Sequence, residues 1–258
     1  MKNIRQKIAP LFALLVLLVL FGFVTRHQIQ STCTGVEIDV RSAAGMFFID
    51  RDDVYHQVVN AADSVEGRKL IELDAQLIEN ALASLPEVKG VDVFKTIDGK
   101  LKVNVDLRVP VARIFHPNGN SFYIDEEGSL MPLSTKYTAR ILTVNGFIWD
   151  TKIPADKEIP EVSIWDQQQQ DIYRLATFIG ADPFWKAQIQ QVYVDENLEY
   201  VLIPRVGNYE IEFGKMDHIE RKFMQLNAFY EQALSKTDWN KYQSINLKYK
   251  DQIVCRKK

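Results

Sequence analysis

At 258 residues, with 47% hydrophobic and 25% charged side chains, the chain has the composition of a folded globular protein rather than a disordered one. A net charge of −3 and the lack of any long Lys/Arg run argue against nucleic-acid binding, and 2 cysteines are too few for a disulfide-built fold.

Hydrophobicity is concentrated near the start. The run "IAPLFALLVLLVLFGFVT" has no charge between Lys7 and Arg26. As a helix, residues 8–25 would extend about 27 Å, close to the ~30 Å hydrocarbon layer of a bilayer. Pro10 stands where a first turn accepts it. The flank "FVTRHQIQSTCTG" offers no small-residue cleavage site, so an uncleaved anchor is favoured over a removed signal. Lys2, Arg5 and Lys7 precede the run and only Arg26 follows closely, which puts the N-terminus in the cytoplasm and the bulk of the chain outside it. The expected parts are a short tail over 1–7, a transmembrane helix over 8–25 and a juxtamembrane linker over 26–35.

Beyond the linker, Val36, Ile38 and Val40 alternate as in a strand. "FIDRDDVYHQVVNAAD" turns helical, with Asp50 as N-cap and Val54, Val58 and Ala61 on one stripe. A second helix starts at Asp74 and carries Leu77, Ile78, Leu82 and Leu85, with Pro86 after its end. "VKGVDVFKTIDGKLKVNVDLRVPVARI" reads as a hairpin turning on Asp98-Gly99, two central positions that favour positive φ. Pro110 removes a donor, so pairing is interrupted or ends there. The order β-α-α-β-β over 36–114 makes one compact α+β unit.

From 115 to 258 the texture is richer in strands. A hairpin spans "HPNGNSFYIDEEGSLMPLS", and "RILTVNG" is another strand. A helix over "VSIWDQQQQDIYRLATFIGAD" buries Ile172, Leu175, Ala176 and Ile179, with the glutamines in a solvated first turn. A meander runs through Val192/Val194, Leu198–Ile203 and Tyr209/Ile211/Phe213, turning at Asp195–Asn197 and Gly207-Asn208. An amphipathic helix carries Ile219, Phe223, Leu226, Phe229, Tyr230 and Ala233. The chain ends on "SINLKYKDQIVCRKK", where Ile245, Leu247 and Tyr249 alternate with Asn246, Lys248 and Lys250 as in a strand with one face on a core. A strand at the end of a sheet either needs protection or awaits a partner.

The motifs of catalysis are missing. His27, His56, His116 and His218 form no ligand pair, and no nucleophile elbow, S-x-x-K or phosphate loop occurs. Asp50, Asp52 and Asp53 suit a helix first turn, where their charge meets the dipole; Asp125 to Glu127 suit a hairpin turn. Cys33 and Cys255 read as unpaired thiols. No catalytic, cofactor-binding or metal-binding residue is assigned, which points to a protein that works by binding other proteins. The competing readings are a membrane-anchored envelope enzyme with a noncontiguous site and a transport or chaperone module.

The order of features resembles the FtsQ/DivIB cell-division family. "FIDRDDV" and "LIELDAQLIENALASLPEVKGVDVFKTIDGKLKVNV" are similar to its POTRA domain. "DLRVPVAR" resembles its E-R-x-P-x-A segment through Arg108, Pro110 and Ala112. "FYIDEEGSLMPL" resembles its Y-x-x-D-x-x-G hairpin through Tyr123, Asp125, Glu126 and Gly128. "ILTVNG" is similar to its L-P-x-x-x-G strand without the Pro, and "INLKY" resembles its D-L-R-Y, with Asn246 and Lys248 replacing the charged pair. Asp251-Gln252 stand where the family has a Gly. The resemblance implies a POTRA domain over 36–114 and a β domain of mixed or antiparallel sheet with flanking helices over 115–258. It implies a non-enzymatic, single-span scaffold at the division septum of the bacterial inner membrane. FtsB- and FtsL-type partners would be met through the terminal strand, other division proteins through the POTRA domain, with no cofactor, small-molecule substrate or nucleic acid. Septal wall synthesis would be regulated through those contacts. The expected contact region is Tyr249, Asp251, Gln252, Ile253 and Val254. On alternation alone, Tyr249 is as readily a core residue as a partner anchor.

Overall fold

Alternating Val36, Ile38 and Val40 form β1 (Gly35–Arg41), half-buried against the core of the first unit. The computed structural model describes residues 16, 31–42, 45–148, 167–234 and 239–258. Among them no helix is long and apolar enough to cross a membrane. The expected span 8–25 lies outside the described residues apart from Val16, as does the tail.

Two units divide the chain, 1–107 and 108–258. In the first, α1 (Arg51–Ala62) starts with a reciprocal cap: the Asp53 amide donates to Asp50 Oδ1 at 3.0 Å and the Asp50 amide to Asp53 Oδ2 at 2.9 Å. Replacing Asp50 by Ala is expected to lower the stability of this unit by about 1 kcal/mol in denaturant unfolding. A single 3₁₀ turn at Leu70–Glu72 leads to α2 (Ala75–Ala83), capped by Asp74, whose Oδ1 accepts from the Leu77 amide at 3.2 Å. Ile78 and Leu82 are buried, whereas Leu77 is 51% exposed and leaves the predicted stripe because it sits in the capped first turn, off the core face. The strands β2 (Val88–Lys95) and β3 (Lys100–Leu107) complete a sheet ordered β1-β3-β2, with β1 parallel to β3. Only Gly99 of the predicted turn pair has positive φ, +88°. The loop closes from Thr96 instead: the Gly99 amide donates to the Thr96 carbonyl and the Thr96 amide to the Lys100 carbonyl, a longer turn than the two-residue type.

In the second unit the strands are β4 (Pro110–Phe115), β5 (Ser121–Asp125), β6 (Leu130–Pro132), β7 (Leu142–Gly146), β8 (Ile189–Val194), β9 (Tyr200–Pro204), β10 (Glu210–Gly214), β11 (Tyr242–Asn246) and β12 (Val254–Lys257). They form a nine-stranded sheet ordered β12-β11-β10-β9-β8-β7-β4-β5-β6. The pairs β4·β7, β7·β8 and β10·β11 are parallel and the rest antiparallel. Parallel neighbours need crossovers. The helices α3 (Gln167–Ala181) and α4 (Pro183–Gln188) lie between β7 and β8 in the chain, and α5 (Ile219–Gln232) lies between β10 and β11. The stripes Ile172/Leu175/Ala176/Ile179 and Ile219/Phe223/Leu226/Tyr230 join Ala112, Val144, Val192, Leu202, Ile211 and Ile245 in one core on one face of the sheet.

Three expectations are corrected. First, β4 pairs with β5 and β7 rather than extending the hairpin of the first unit, so the boundary falls at Leu107/Arg108 and not after Ile114. Alternation is the same in either sheet; Pro110 marks the change, where pairing with β5 restarts after a bulge. Second, Gln169 in the glutamine run is buried, not solvated. Third, Leu198 belongs to the turn before β9, with φ of +57°, while Asp195 Oδ1 accepts from the amides of Asn197 and Glu199 at 2.8 Å each.

Candidate functional site

The last residues do not form one continuous strand. Ile245 and Leu247 are buried as expected, but β11 ends at Asn246 and the chain turns over residues 249–251. It then returns as β12, antiparallel to β11, with Ile245 opposite Cys255 and Asn246 opposite Val254. Asp251 takes φ of +60°, a conformation that Asp tolerates better than most residues. Tyr249 is 51% exposed in this turn, so it is not core. Asp251 and Gln252 are exposed beside it. Ile253 and Cys255 pack partly on the core, and Val254 points the other way, 46% exposed.

Polar residues hold this turn. Asn246 Nδ2 donates to Glu212 Oε2, and the Lys248 amide donates to Asn246 Oδ1 at 2.9 Å. The Leu247 amide donates to the Glu212 carbonyl at 3.0 Å, extending the ladder one residue past β11. Lys248 Nζ meets Glu199 Oε2 at 3.0 Å and Glu212 Oε2 at 4.0 Å. The Glu199 carboxylate raises the lysine's pKa above its usual value. The lysine stem crosses Gly214, where an added Cβ would stand 2.6 Å from Lys248 Cγ; φ there is +76°. Asn246 and Lys248 were legible as motif positions. Glu199, Glu212 and Gly214, to which they are fastened, were not, because nothing local in the sequence links strands so far apart.

The two ends of the sheet differ. At one end β6 is three residues long and finishes on Pro132, two features that discourage strand addition. At the other, β12 has β11 on one side and no strand of the described residues on the other. Its side chains are exposed or half-buried throughout.

Two other motif segments are brought together. Arg108 Nη1 donates to Asp125 Oδ2 at 2.6 Å, and Asp125 is only 1% exposed. The second oxygen, Oδ1, accepts from the Glu127 amide at 3.0 Å and the Ser129 amide at 2.7 Å. The Glu126 amide donates to the Val109 carbonyl at 2.9 Å. Tyr123 is buried and its hydroxyl accepts from the Ala139 amide at 3.2 Å. Asp125 thus does the work of a turn anchor and an ion-pair acceptor. The acidic stretch at Asp50 to Asp53 is the helix cap already described.

His56 and His218 are exposed, and His116 accepts from the Asn118 amide at 3.2 Å in its turn. Among the described residues no three His, Cys, Asp or Glu side chains stand together in a way that would hold a metal ion. Cys33 and Cys255 are free thiols, the first buried in the first unit and the second half-buried on β12, where burial pushes its pKa up. Tyr209 and Tyr230 share a buried hydroxyl contact at 2.6 Å that packs α5 to the sheet, and burial drives both phenols above their usual pKa.

Comparison with known proteins agrees with this architecture. Residues 31–106 match the model of a POTRA-like domain, and residues 109–256 match the model described as FtsQ/DivIB, C-terminal related. The chain is 28% identical over 203 residues to the cell division protein FtsQ of Rhodothermus marinus, covering 76% of this chain and 69% of that one. With both units matched in order, the chain belongs to the FtsQ/DivIB family of cell-division proteins.

Proposed function

We propose that the protein is a single-span, non-catalytic scaffold of the division septum, with its N-terminus in the cytoplasm and both folded units outside it. It docks FtsB- and FtsL-type partners by adding a partner strand to β12, with the turn residues Tyr249 and Asp251, then Gln252 and Ile253, and the first strand residue Val254 at the contact. The POTRA-like unit serves other division proteins, and the assembled contacts regulate septal wall synthesis.

The observation that carries this reading is the open side of β12 at the end of a nine-stranded sheet. Backbone amides and carbonyls there can extend the ladder into a second chain, while alternate side chains select it. Tyr249 supports the reading because an aromatic ring half out in solvent beside an open edge suits an interface anchor. The family membership supports a division role.

The test is capture of FtsB- and FtsL-type proteins by the full-length chain, comparing wild type with Ile253→Pro and Tyr249→Lys. The proline variant is expected to lose capture by about a hundredfold or more, since strand addition there needs regular backbone. Tyr249 touches no core, so the lysine variant keeps its fold and is expected to weaken capture by roughly tenfold or more. Undiminished capture by both variants, each with wild-type circular dichroism, rules out the terminal edge. A fluorescent fusion spread evenly around dividing cells, rather than gathered at midcell, rules out the septal role.

A further inference from the structure

The open end of the sheet carries an unusual charge arrangement. Val254 and Arg256 on β12, and Lys258 just past its end, alternate toward the sheet face opposite the helices, because their neighbours Ile253 and Cys255 pack on the core side. Arg256 lies opposite Ser244 of β11. On that face Arg256 and Lys258 line an open cleft of about 860 Å³, together with Arg205 from the end of β9 and Glu210, Glu212 and Ser244. Lys257 alternates to the other side of β12, and Lys241 precedes β11 with its ammonium 5.8 Å from the Tyr242 ring centre. Among the described residues, none of Arg205, Lys241, Arg256, Lys257 and Lys258 has a carboxylate within 4.0 Å. Three cations, Arg205, Arg256 and Lys258, therefore line this cleft with two carboxylates, and one of the two, Glu212, is already engaged by Asn246.

We infer that the strand accepted by β12 is acidic, with Glu or Asp at alternate positions facing Arg256 and Lys258. This rests on the docking reading above and adds the chemistry of the partner to it. An incoming strand places its side chains directly opposite those of β12 on the same face. Opposite charges on facing strands attract and like charges repel. The same rule disfavours a second copy of this chain at that edge, since pairing β12 with itself sets Arg256 and Lys257 opposite or diagonal to their own counterparts. Arg205, reaching the cleft from β9, extends the positive field inward, so an acidic residue just outside the added strand also meets a cation.

The test uses the full-length chain and labelled peptides in which Val alternates with Glu, Gln or Lys, read by fluorescence anisotropy. The Glu peptide is expected to bind at least roughly tenfold more tightly than the Gln peptide, with the advantage fading as salt rises, and the Lys peptide is expected not to bind. The double variant Arg256→Glu/Lys258→Glu, exposed positions that disturb no core, is expected to reverse the order of the Glu and Lys peptides. Equal binding of the Glu and Gln peptides, lost in Ile253→Pro, overturns the acidic preference while leaving strand docking intact. Tight Glu-peptide binding that survives Ile253→Pro means the cations act without strand addition, and overturns this inference together with the edge reading. No Glu-peptide binding, but charge-dependent capture on anionic phospholipid vesicles, overturns it in favour of a lipid surface.

Discussion

Gly146→Ala is expected to be among the most damaging single changes in the second unit, lowering its stability by about 3–5 kcal/mol. Gly146 ends β7 with φ of +103°, a conformation that L side chains rarely adopt. It pairs with Val194 of the parallel strand β8. An added Cβ would stand 2.1 Å from the Val194 carbonyl oxygen and 2.9 Å from its amide nitrogen, both backbone atoms that no rotamer change can move. The Phe147 amide donates to that same carbonyl at 2.9 Å, so pushing the strands apart also breaks a ladder bond. The measurement is denaturant unfolding followed by tryptophan fluorescence, with Trp185, 4% exposed in the core, as reporter. A loss below about 1 kcal/mol would mean that the two strands part without cost, against the packing described.

Asp125→Ala is expected to cost a similar amount, about 3–5 kcal/mol, because it leaves the Arg108 guanidinium without its buried partner. It also strips the Glu127 and Ser129 amides of their acceptor. Asp125→Asn keeps the shape and one oxygen able to accept, but loses the charge, and is expected to cost about half as much. Equal losses for the two variants would show that the charge pairing carries the whole effect and that the acceptor for the turn amides contributes nothing. The pair joins the first residue of the second unit to the β5–β6 turn, so both variants are also expected to loosen the entry of the chain into β4.

These two residues illustrate what could be read beforehand. Asp125 and Arg108 were visible as members of two separate short motifs, and Gly146 as the end of a third. What joins Arg108 to Asp125, and what stands behind Gly146, depends on which strands become neighbours. No periodicity encodes that. Where burial alone decides, the reading was good: the stripe Ile172, Leu175, Ala176, Ile179 forms one face of α3, and Ile211 and Phe213 point inward from β10. It failed where a single long-range contact decides. Lys248 continued a tidy alternation in the sequence, yet its bond to Glu199 across Gly214 accompanies the end of β11 and turns Tyr249 out to solvent. The short helix α4 was overlooked although its signal is local: Asp182 caps it and Pro183 occupies its first turn.

The closing segment has another shape than the one read from its alternation, a strand, a turn and a short returning strand. A single terminal strand would have offered Tyr249 on one of its faces. The hairpin offers it from a turn, and gives the open edge to a shorter strand whose exposed side chains are Val254 and the basic residues after it.

The order of the sheet has a further consequence in time. Among the described residues β12 pairs with β11 alone, and β11 is laid beside β10 by the crossover through α5. A molecule whose sheet has not yet closed as far as β11 has no ladder for β12 to join. The edge strand is therefore ordered only after its inner neighbour, and a break in the β10·β11 pairing removes both at once.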